Sequence, residues 1–397
     1  MAGKPPLLFV SNSGPLPVTD GKRQRTYALL KALELSFDID FLMLHNEDEF
    51  NLTRQSADFE RINFIHYTAA PSGNSRLHHK LGFLFFKDQA LFDYVKELRR
   101  QRSYQFIFSR YLGPVASMPS LCKIVCDIDD DFFEVYKTKI KSERKWLRKL
   151  RLIQIFILNV IPYIRAKNKV THLIHVKGIP NKDELILPNL PFQVLLNAGP
   201  IELVPCLSKN ILFVGKLSYQ PNADGLYWFL KEVWPGVVQM DPDVRLTIIS
   251  SEKTTHVGLL NCIAAFKNIA DAGKVEVLAD HYYRHSLVIA PVFYGGGSNI
   301  KVAEALLFGR PVFTTTFGAK GYEQPEQLQF VKVSSEPVTM KEAIVSHLND
   351  THQDVLQEKI FAWAQSTYSI SQWQLLLSKF LIGEMENTGT NHWIFKV

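Results

Sequence analysis

Short apolar runs alternate with helix-like stretches along most of the chain, and this alternation restricts the fold more than any other feature. The first run, Leu7 to Val10, is followed by a polar loop and by the stretch 25–36, whose apolar residues recur at helical spacing. Further strand-like runs lie at 38–44, 62–67, 106–111 and 123–129, with an amphipathic helix at 89–101. Strands that alternate with helices predict a parallel sheet covered on both faces.

The same alternation begins again after about residue 205. Strand-like runs lie at 210–215, 244–250, 274–278, 286–292, 310–316 and 328–333, with helical stretches at 223–233, 299–308 and 338–349. A chain of 397 residues that is 46% apolar exceeds the usual size of one domain. We therefore predict an α/β fold with two doubly wound domains facing each other across a cleft, where such folds bind ligands at the carboxyl ends of their strands.

The predicted domain limits follow from the points at which this pattern is interrupted. Two prolines and a glycine break the periodicity within 198–208. We therefore assign residues 1–205 to an N-terminal domain and residues 206–354 to a second domain. The remaining residues, 355–397, are predicted to form a C-terminal helical segment that could pack back on the N-terminal domain.

Three consecutive glycines, Gly295 to Gly297, stand where a strand passes the chain to a helix that Ser298 or Asn299 caps. The first turn of a helix presents unpaired N–H groups, and glycines there let a phosphate approach the main chain closely. Lys301 and Glu304 lie on one face of this helix and offer a cation for phosphate and a carboxylate for ribose hydroxyls. The stretch predicts a nucleoside diphosphate site; the alternative is a tight turn beside a surface ion pair.

The surroundings of this loop resemble the donor site of the retaining glycosyltransferases of family 4. In that family a strand, a Gly-rich loop, K-x-x-E-A, G-x-P-V and a threonine follow in this order, and here residues 289–315 read IAPVFYGGGSNIKVAEALLFGRPVFTT. Residues 211–250 resemble the opening of the family's second domain, 16–33 its first loop and helix, and 184–191 the segment before its domain linker. The resemblance implies the GT-B architecture of two Rossmann-like domains, the first binding the acceptor and the second the nucleotide sugar.

Individual residues carry over from this resemblance. Glu304 matches the second glutamate of the family's E-x7-E motif, which holds the donor ribose. Gly296 stands at the first, so main-chain N–H groups or another residue must replace that carboxylate, as in the Gly-rich branch of the family. Lys216 matches the basic residue that neutralises the pyrophosphate. A second family lysine falls on Asn222, so we expect Lys301 to supply the missing charge.

The loops and the resemblance together give a set of expected site residues. The donor-binding residues are Gly21, Gly296, Gly297, Ser298, Asn299, Lys301 and Glu304. Gly21 follows Asp20 in the first loop, where the family keeps a glycine close to the donor phosphates; a plain turn is the alternative. Breaking a sugar–phosphate bond leaves negative charge on the diphosphate, so Lys216 and Lys301 are expected to act in catalysis as stabilisers of the leaving group.

An acidic cluster, DIDDD at 127–131, follows the strand-like run 123–126. It permits three interpretations: a metal-binding aspartate pair that holds the diphosphate through Mg²⁺ or Mn²⁺, an acceptor site, or a helix cap. We favour the acceptor site, formed by Asp127 and Asp129 with Arg25 on the first helix, and take Asp129 as a further catalytic candidate. No metal and no cofactor are expected.

The stretch 137–169 is strongly basic, with eleven Lys and Arg residues against the single acid Glu143. Its apolar centre, 152–164, is too short to span a bilayer. Cations on both sides of that centre suit a helix lying on an anionic membrane, but a core helix with solvated basic ends is the interpretation that we favour. Nucleic acid is not an expected partner, because no recognition module accompanies the charge.

These features predict a metal-independent glycosyltransferase that moves a sugar from a nucleotide-diphosphate sugar to a glycan or lipid-linked acceptor, with retention, in cell-surface polysaccharide biosynthesis. The alternatives are a sugar-nucleotide epimerase of the same architecture and a membrane-associated nucleotide-binding protein without transferase activity. Neither a signal peptide nor a bilayer-spanning run is recognisable. We expect a cytoplasmic protein, or one peripheral at the inner face of the membrane.

Overall fold

The structure is a computed structural model that describes residues 3–18, 20–44, 46–68, 81–120, 122–129, 131–143, 145–177, 181–195, 201–295, 299–322 and 325–382. The chain divides into two compact units. The first comprises the chain up to Leu190 together with residues from Ile370 onward, and the second runs from Pro191 to Ser369. The boundary predicted at residue 205 lies inside the second unit, and the segment predicted as one piece, 355–397, is divided at Ile370.

Parallel strands form the sheet of the first unit. In its described residues the strands are β1 (Pro6–Ser11), β2 (Asp38–Leu44), β3 (Asn63–Tyr67), β4 (Phe106–Arg110), β5 (Lys123–Ile128), β6 (His172–His175) and β7 (Glu184–Ile186). Their spatial order is β3-β2-β1-β4-β5-β6-β7, and every neighbouring pair is parallel. Consecutive residues Leu7 to Val10 are all buried; since successive side chains of a strand point to opposite faces, both faces of β1 are covered.

The helices of the first unit connect these strands. They are α1 (Gly21–Leu33), α2 (Glu47–Arg54), α3 (Gln89–Gln101), α4 (Leu112–Val115), α5 (Phe132–Ser142) and α6 (Trp146–Lys167), and the unit is completed by a helix at Ile370–Ile382. That last helix packs against α1, where the hydroxyls of Ser36 and Ser378 lie 2.7 Å apart.

The second unit repeats the plan with a smaller sheet. Its described strands are β8 (Asn210–Val214), β9 (Arg245–Ile249), β10 (Ile269–Gly273), β11 (Leu287–Ala290), β12 (Val312–Thr314) and β13 (Val331–Val333), in the spatial order β10-β9-β8-β11-β12-β13. In each sheet the chain first runs outward and then returns beside its starting strand, so the order reverses between β1 and β4 and between β8 and β11. Such reversal points are where open α/β sheets bind ligands.

The helices of the second unit are α7 (Phe192–Leu195), α8 (Gln220–Trp228) with a π-helical turn at Phe229–Val233, α9 (Trp234–Met240), α10 (Val257–Ala265), α11 (Leu278–Arg284), α12 (Ile300–Leu307), α13 (Pro325–Leu328), α14 (Pro337–Leu348) and α15 (Gln353–Thr367); the helix at Ile370–Ile382 is α16. The strand predicted at 274–278 is wrong. Ile269 instead pairs with Leu246 of β9, and Gly273, with a φ of +61°, ends that strand. Val277 is 55% exposed.

Gly225 allows α8 to pack closely on the segment after β11. A Cβ atom at this position would lie 1.6 Å from the carbonyl oxygen of Pro291. We predict that Gly225→Ala lowers the free energy of unfolding by about 1–3 kcal/mol or more, because the backbone must move to relieve the clash. Denaturant unfolding measures this change. The matched control is Gly236→Ala, whose Cβ would meet only the flexible side chain of Lys341; equal stability of the two variants would contradict the prediction.

Candidate functional site

The loop that precedes α12 is the centre of the candidate site. Gly296, Gly297 and Ser298, which the sequence assigns to donor binding, lie outside the described residues, so their assignment stays a prediction. Gly295 has a φ of +139°, and a Cβ atom there would lie 2.8 Å from the hydroxyl of Tyr219. Both the backbone conformation and the close contact therefore require glycine at this position.

Asn299 occupies the cap position of α12, but its side chain makes no capping hydrogen bond. Its Nδ2 donates instead to the carbonyl of Gly318, at 2.8 Å, and its own carbonyl accepts from the hydroxyl of Tyr322, at 2.9 Å. The Asn299 side chain thus fixes the entry to the helix. The N–H groups of a first helical turn are the ones that bind anions at helix N-termini; here the N–H of Val302 is already bonded to the Asn299 carbonyl, at 2.8 Å.

Lys301 is held by contacts with Asn222 and Phe213. Its Nζ donates to Oδ1 of Asn222 at 2.7 Å and lies 5.1 Å from the ring centre of Phe213. Burial lowers the pKa of Lys301 to about 8, although the nearby Glu304 carboxylate acts in the opposite direction. A lysine held close to its titration point at neutral pH gains much from an incoming anion.

Gly215 and Asn222 create the space for this ammonium group. A Cβ atom on Gly215 would lie 2.9 Å from both Nζ of Lys301 and Nδ2 of Asn222. Asn222 in turn donates from Nδ2 to the carbonyl of Lys216, at 3.0 Å. Asn222, the position at which the resembling family has a second lysine, is therefore in direct contact with the lysine expected to replace it.

Lys216 follows β8 at the reversal point of the sheet, next to β11. Its side chain is 52% exposed, and Nζ lies 3.3 Å from Oε1 of Glu252. Glu252 also accepts a short hydrogen bond from Ser218, and these contacts with Ser218 and Lys216 lower its pKa. An exposed pair of this kind contributes little to stability. Lys216 can therefore exchange this partner for another anion at small cost.

Glu304 lies one helical turn after Lys301 and is partly buried. One of its oxygens accepts from the hydroxyl of Tyr282, at 3.2 Å, and burial together with the Glu304 charge raises the pKa of Tyr282 well above its ordinary value. Tyr282 stacks on Phe308, with ring centres 4.8 Å apart. Sequence reasoning missed Tyr282 and Glu252, because their partners are distant in sequence.

In the first unit, Gly21 is the first residue of α1. The preceding Asp20 caps this helix, and its Oδ1 accepts from the N–H groups of Lys22, at 3.0 Å, and Arg23, at 3.1 Å. Gly21 thus occupies a helix start at which the N–H groups of the next two residues are already bound by a carboxylate. Its assignment to the donor stays a prediction.

Arg25 and Asp127 form a buried ion pair. Both side chains are fully buried, with Nη2 of Arg25 2.5 Å from Oδ1 of Asp127. Nη1 of Arg25 donates to the carbonyl of Leu187, at 2.8 Å, and to Oδ1 of Asn189, at 2.9 Å. A second buried guanidinium, that of Arg110, pairs with the other oxygen of Asp127. Within the first unit the charges of Arg25 and Asp127 neutralise each other. Contact of either residue with an acceptor stays a prediction.

Asp129 lies at the outer end of the same network and keeps 19% of its side-chain surface exposed. It accepts from Arg110 at 3.2 Å and from the hydroxyl of Tyr111 at 2.8 Å. Burial alone would raise the pKa of Asp129, but the guanidinium groups of Arg110 and Arg25 outweigh this effect and lower the pKa. Tyr111 has a φ of +69°, a strained conformation for a non-glycine residue.

The remaining acidic residues of the cluster differ in surroundings. Asp131 caps α5, accepting from the N–H groups of Phe133, at 2.8 Å, and Glu134, at 3.2 Å, so the capping interpretation applies to this residue. Asp130 lies outside the described residues. Across the part of the chain that the structure describes, no group of three or more His, Cys, Asp or Glu residues is arranged to hold a metal ion.

Part of the second unit matches a known family. Residues 208–350 match the model of Glycosyl transferases group 1. This range begins just before β8 and ends just after α14. It therefore contains Lys216, Asn222, Lys301 and Glu304, the residues whose contacts are described above.

Similar proteins cover nearly the whole chain. A 44.6 kDa protein in the cps region of Klebsiella pneumoniae is 22% identical over 382 residues, which are 91% of this chain and 96% of that protein.

Among solved structures, TarM superposes with a TM-score of 0.62 at 10% identity, covering 95% of this chain and 98% of TarM. HepE from Anabaena, in complex with UDP, gives 0.62 at 14% identity, with 95% and 99% covered. WaaG, a glycosyltransferase involved in lipopolysaccharide biosynthesis, gives 0.58 at 13% identity, with 95% and 100% covered. The two-domain α/β fold of the GT-B type is thereby confirmed.

The ion-pair network of this GT-B chain gives a test of what Asp127 does. We predict that Asp127→Asn lowers the free energy of unfolding by about 3–5 kcal/mol, because the guanidinium groups of Arg25 and Arg110 stay buried without their shared carboxylate. Asp129→Asn should cost much less, since Asp129 is partly exposed and Asp127 remains. Denaturant unfolding of both variants measures the difference. A fully stable Asp127→Asn variant would show that the carboxylate is free to serve another purpose.

Proposed function

We propose that this protein is a glycosyltransferase that moves a sugar from a nucleotide-diphosphate sugar to a glycan or lipid-linked acceptor. The observation that carries the proposal is the ammonium group of Lys301, buried enough to lower its pKa to about 8 and oriented by Asn222. It stands in the first turn of α12, and the N-terminus of a helix favours an anion through its dipole. The family match over 208–350 includes all of these residues.

The nucleotide sugar would bind by its diphosphate and its ribose. Lys301, Lys216 and the first turn of α12 would contact the diphosphate, and Gly21 is a further donor-binding residue that we propose. Glu304, positioned by Tyr282, would accept hydrogen bonds from the two ribose hydroxyls. HepE, which resembles this chain in fold, has been solved with UDP and with UDP-glucose, and these support a uridine nucleotide as the first donor to test.

The reaction breaks the bond between the anomeric carbon of the sugar and a phosphate oxygen, and the electron pair of that bond leaves with the diphosphate. Positive charge that is already desolvated stabilises this developing anion without reorganising water. Lys301 meets that description, and Lys216 adds a second charge once it leaves Glu252. We propose that these two side chains make the transfer independent of a metal ion and that the nucleotide sugar is a substrate rather than a cofactor.

Retention of configuration is part of the proposal. The acceptor hydroxyl would attack from the face that the diphosphate leaves, and its proton would pass to the departing phosphate oxygen, so no separate protein base is needed. In the first unit, Asp129 would hold the acceptor through its exposed surface, with Arg25 and Asp127 as positioning residues behind it. The cps-region relative and the involvement of WaaG in lipopolysaccharide biosynthesis support a cell-surface polysaccharide as the product. We propose that the transfer takes place in the cytoplasm or at the inner face of the membrane.

The ribose assignment is tested by Glu304→Ala. UDP raises the melting temperature of a protein that binds it only when folded, and we predict that Glu304→Ala weakens UDP binding at least about tenfold, the effect of losing a charge-assisted hydrogen bond of about 1.5–3 kcal/mol. Glu342→Ala is the matched control, because Glu342 is an exposed glutamate of α14 in the same unit. Wild-type affinity in Glu304→Ala would remove this residue from the site.

Release of UDP from UDP-sugars, with and without added acceptors, then distinguishes a transferase from a binding protein.

The pH dependence of UDP binding tests Lys301. The diphosphate favours the charged ammonium and raises its pKa, so binding takes up a proton above pH 8. We predict that the affinity is nearly constant between about pH 7 and 8 and falls by up to about tenfold per unit above pH 8. Lys301→Arg should remove this decline, because a guanidinium stays charged throughout the range. Calorimetry between pH 7 and 9 measures both, and the same decline in Lys301→Arg would assign it to another group.

A further inference from the structure

The helix α6 exposes its apolar residues to solvent. Six large apolar side chains of this 22-residue helix are exposed, with relative accessibilities between 44% and 68%: Trp146, Leu147, Leu150, Ile157, Ile161 and Ile164. We call these six residues the apolar stripe. Such a set on one surface helix is unusual for a protein that keeps its apolar side chains inside.

The stripe lies on the side of α6 opposite its buried residues. At about 100° per residue, its six members fall within an arc of about 100° around the helix axis. The residues of α6 that are buried, Asn159, Tyr163 and Ala166, lie on the opposite side by the same geometry. The apolar stripe is therefore a second apolar face, separate from the one that packs on the unit.

Polar contacts hold α6 firmly in this orientation. The Asn159 amide accepts from the N–H of Leu84 at 2.6 Å and donates to the carbonyl of Gly82 at 2.8 Å. The hydroxyl of Tyr163 donates to Asp131 at 2.6 Å. Rotation of the helix would break all three bonds and leave buried polar groups unpaired. The exposure of the stripe is consequently a property of the folded unit.

Basic residues are frequent on and next to α6. Residues 137–169 contain eleven Lys and Arg residues and one acid, and the exposed side chains of Arg148, Arg151 and Arg165 belong to α6 itself. No helix among the residues that the structure describes is long and apolar enough to cross a membrane. From Trp146 to Ile164 the stripe is about 27 Å long at 1.5 Å per residue, and a helix of this composition suits a position parallel to a lipid surface.

We propose that α6 docks the protein on an anionic lipid bilayer, with the apolar stripe in the headgroup and acyl boundary and the basic residues against the headgroups. A second copy of this chain fits the stripe less well, because each copy would bring its own cations to the contact and like charges repel. The surface uses none of the residues of the donor site. It therefore goes beyond the proposed function and stands or falls separately from it.

Vesicle sedimentation tests the docking surface. The full chain is mixed with vesicles of phosphatidylcholine containing about 30% phosphatidylglycerol, or of phosphatidylcholine alone. Each cation near an anionic surface strengthens binding by about fivefold at low salt, so we expect binding to the anionic vesicles at least about a hundredfold tighter, and weaker in 0.5 M salt, where charges are screened within about 4 Å. Equal binding to both vesicle types, or none to either, would overturn the proposal.

Matched variants separate the stripe from general surface effects. Ile157→Glu with Ile161→Glu places two charges in the centre of the stripe and should reduce vesicle binding at least about tenfold. Val338→Glu is the control, because Val338 is a comparably exposed apolar residue of α14, at 59%. An unchanged melting temperature would show that each variant is folded. Wild-type binding by the double variant would overturn the proposal, as would a dimer of the wild type that the double variant abolishes.

Discussion

The parallel pairing of β8 with β11 is the constraint on which the candidate donor site depends. In this pairing Phe213 is in register with Ile289, so both strands end at the same edge of the sheet. Gly215 and Lys216 follow the first strand, and the glycine loop follows the second. The contact between Lys301 and Asn222, which are 79 residues apart, exists because this edge brings the two segments together.

Each unit buries charge at the same edge of its sheet, but the two units neutralise that charge differently. In the first unit Arg110 of β4 is in register with Asp127 of β5, and the buried guanidinium groups meet carboxylates. These carboxylates compensate the buried guanidinium charges, and the network holds the loops in place. In the second unit the ammonium of Lys301 is hydrogen-bonded to the neutral amide of Asn222. Its pKa is lowered because desolvation disfavours the charged form more than the surrounding groups stabilise it. An anionic ligand would supply the missing compensation.

The apolar stripe of α6 also lies in an environment that is unfavourable for it, but it is apolar and faces water, whereas Lys301 is charged and desolvated. Asn159 and Tyr163 fix the buried side of the helix by hydrogen bonds, and this leaves Ile157 and Ile161 in water. Exposed apolar area on a rigid helix costs free energy in the isolated protein, just as the desolvated Lys301 does. These two features are the ones from which we propose partners, a small anion for Lys301 and a lipid surface for the stripe.

Much of the fold could be predicted from the sequence because it depends on local periodicity. Buried parallel strands are short apolar runs, and the apolar residues of amphipathic helices recur every three to four residues. The sequence therefore predicts the alternation of strands and helices and its restart near residue 205. At 274–278 an alternating pattern predicts a strand, but these residues are exposed or half-buried and the residues before them form β10 instead. Local sequence also fails at the acidic cluster, since Asp127 and Asp131 look alike in sequence but one meets two guanidinium groups and the other caps a helix.

The sequence by itself determined the α/β class, the repeat of the doubly wound pattern and the glycine loop with Lys301 and Glu304 in its helix, because each of these resides in neighbouring residues. Only the tertiary structure decided which charges are compensated, that Asn222 orients Lys301, that Tyr282 contacts Glu304, and that the apolar stripe faces outward. These outcomes depend on contacts between residues far apart in the chain and on exclusion of water. Neither property is encoded in the local spacing of residues.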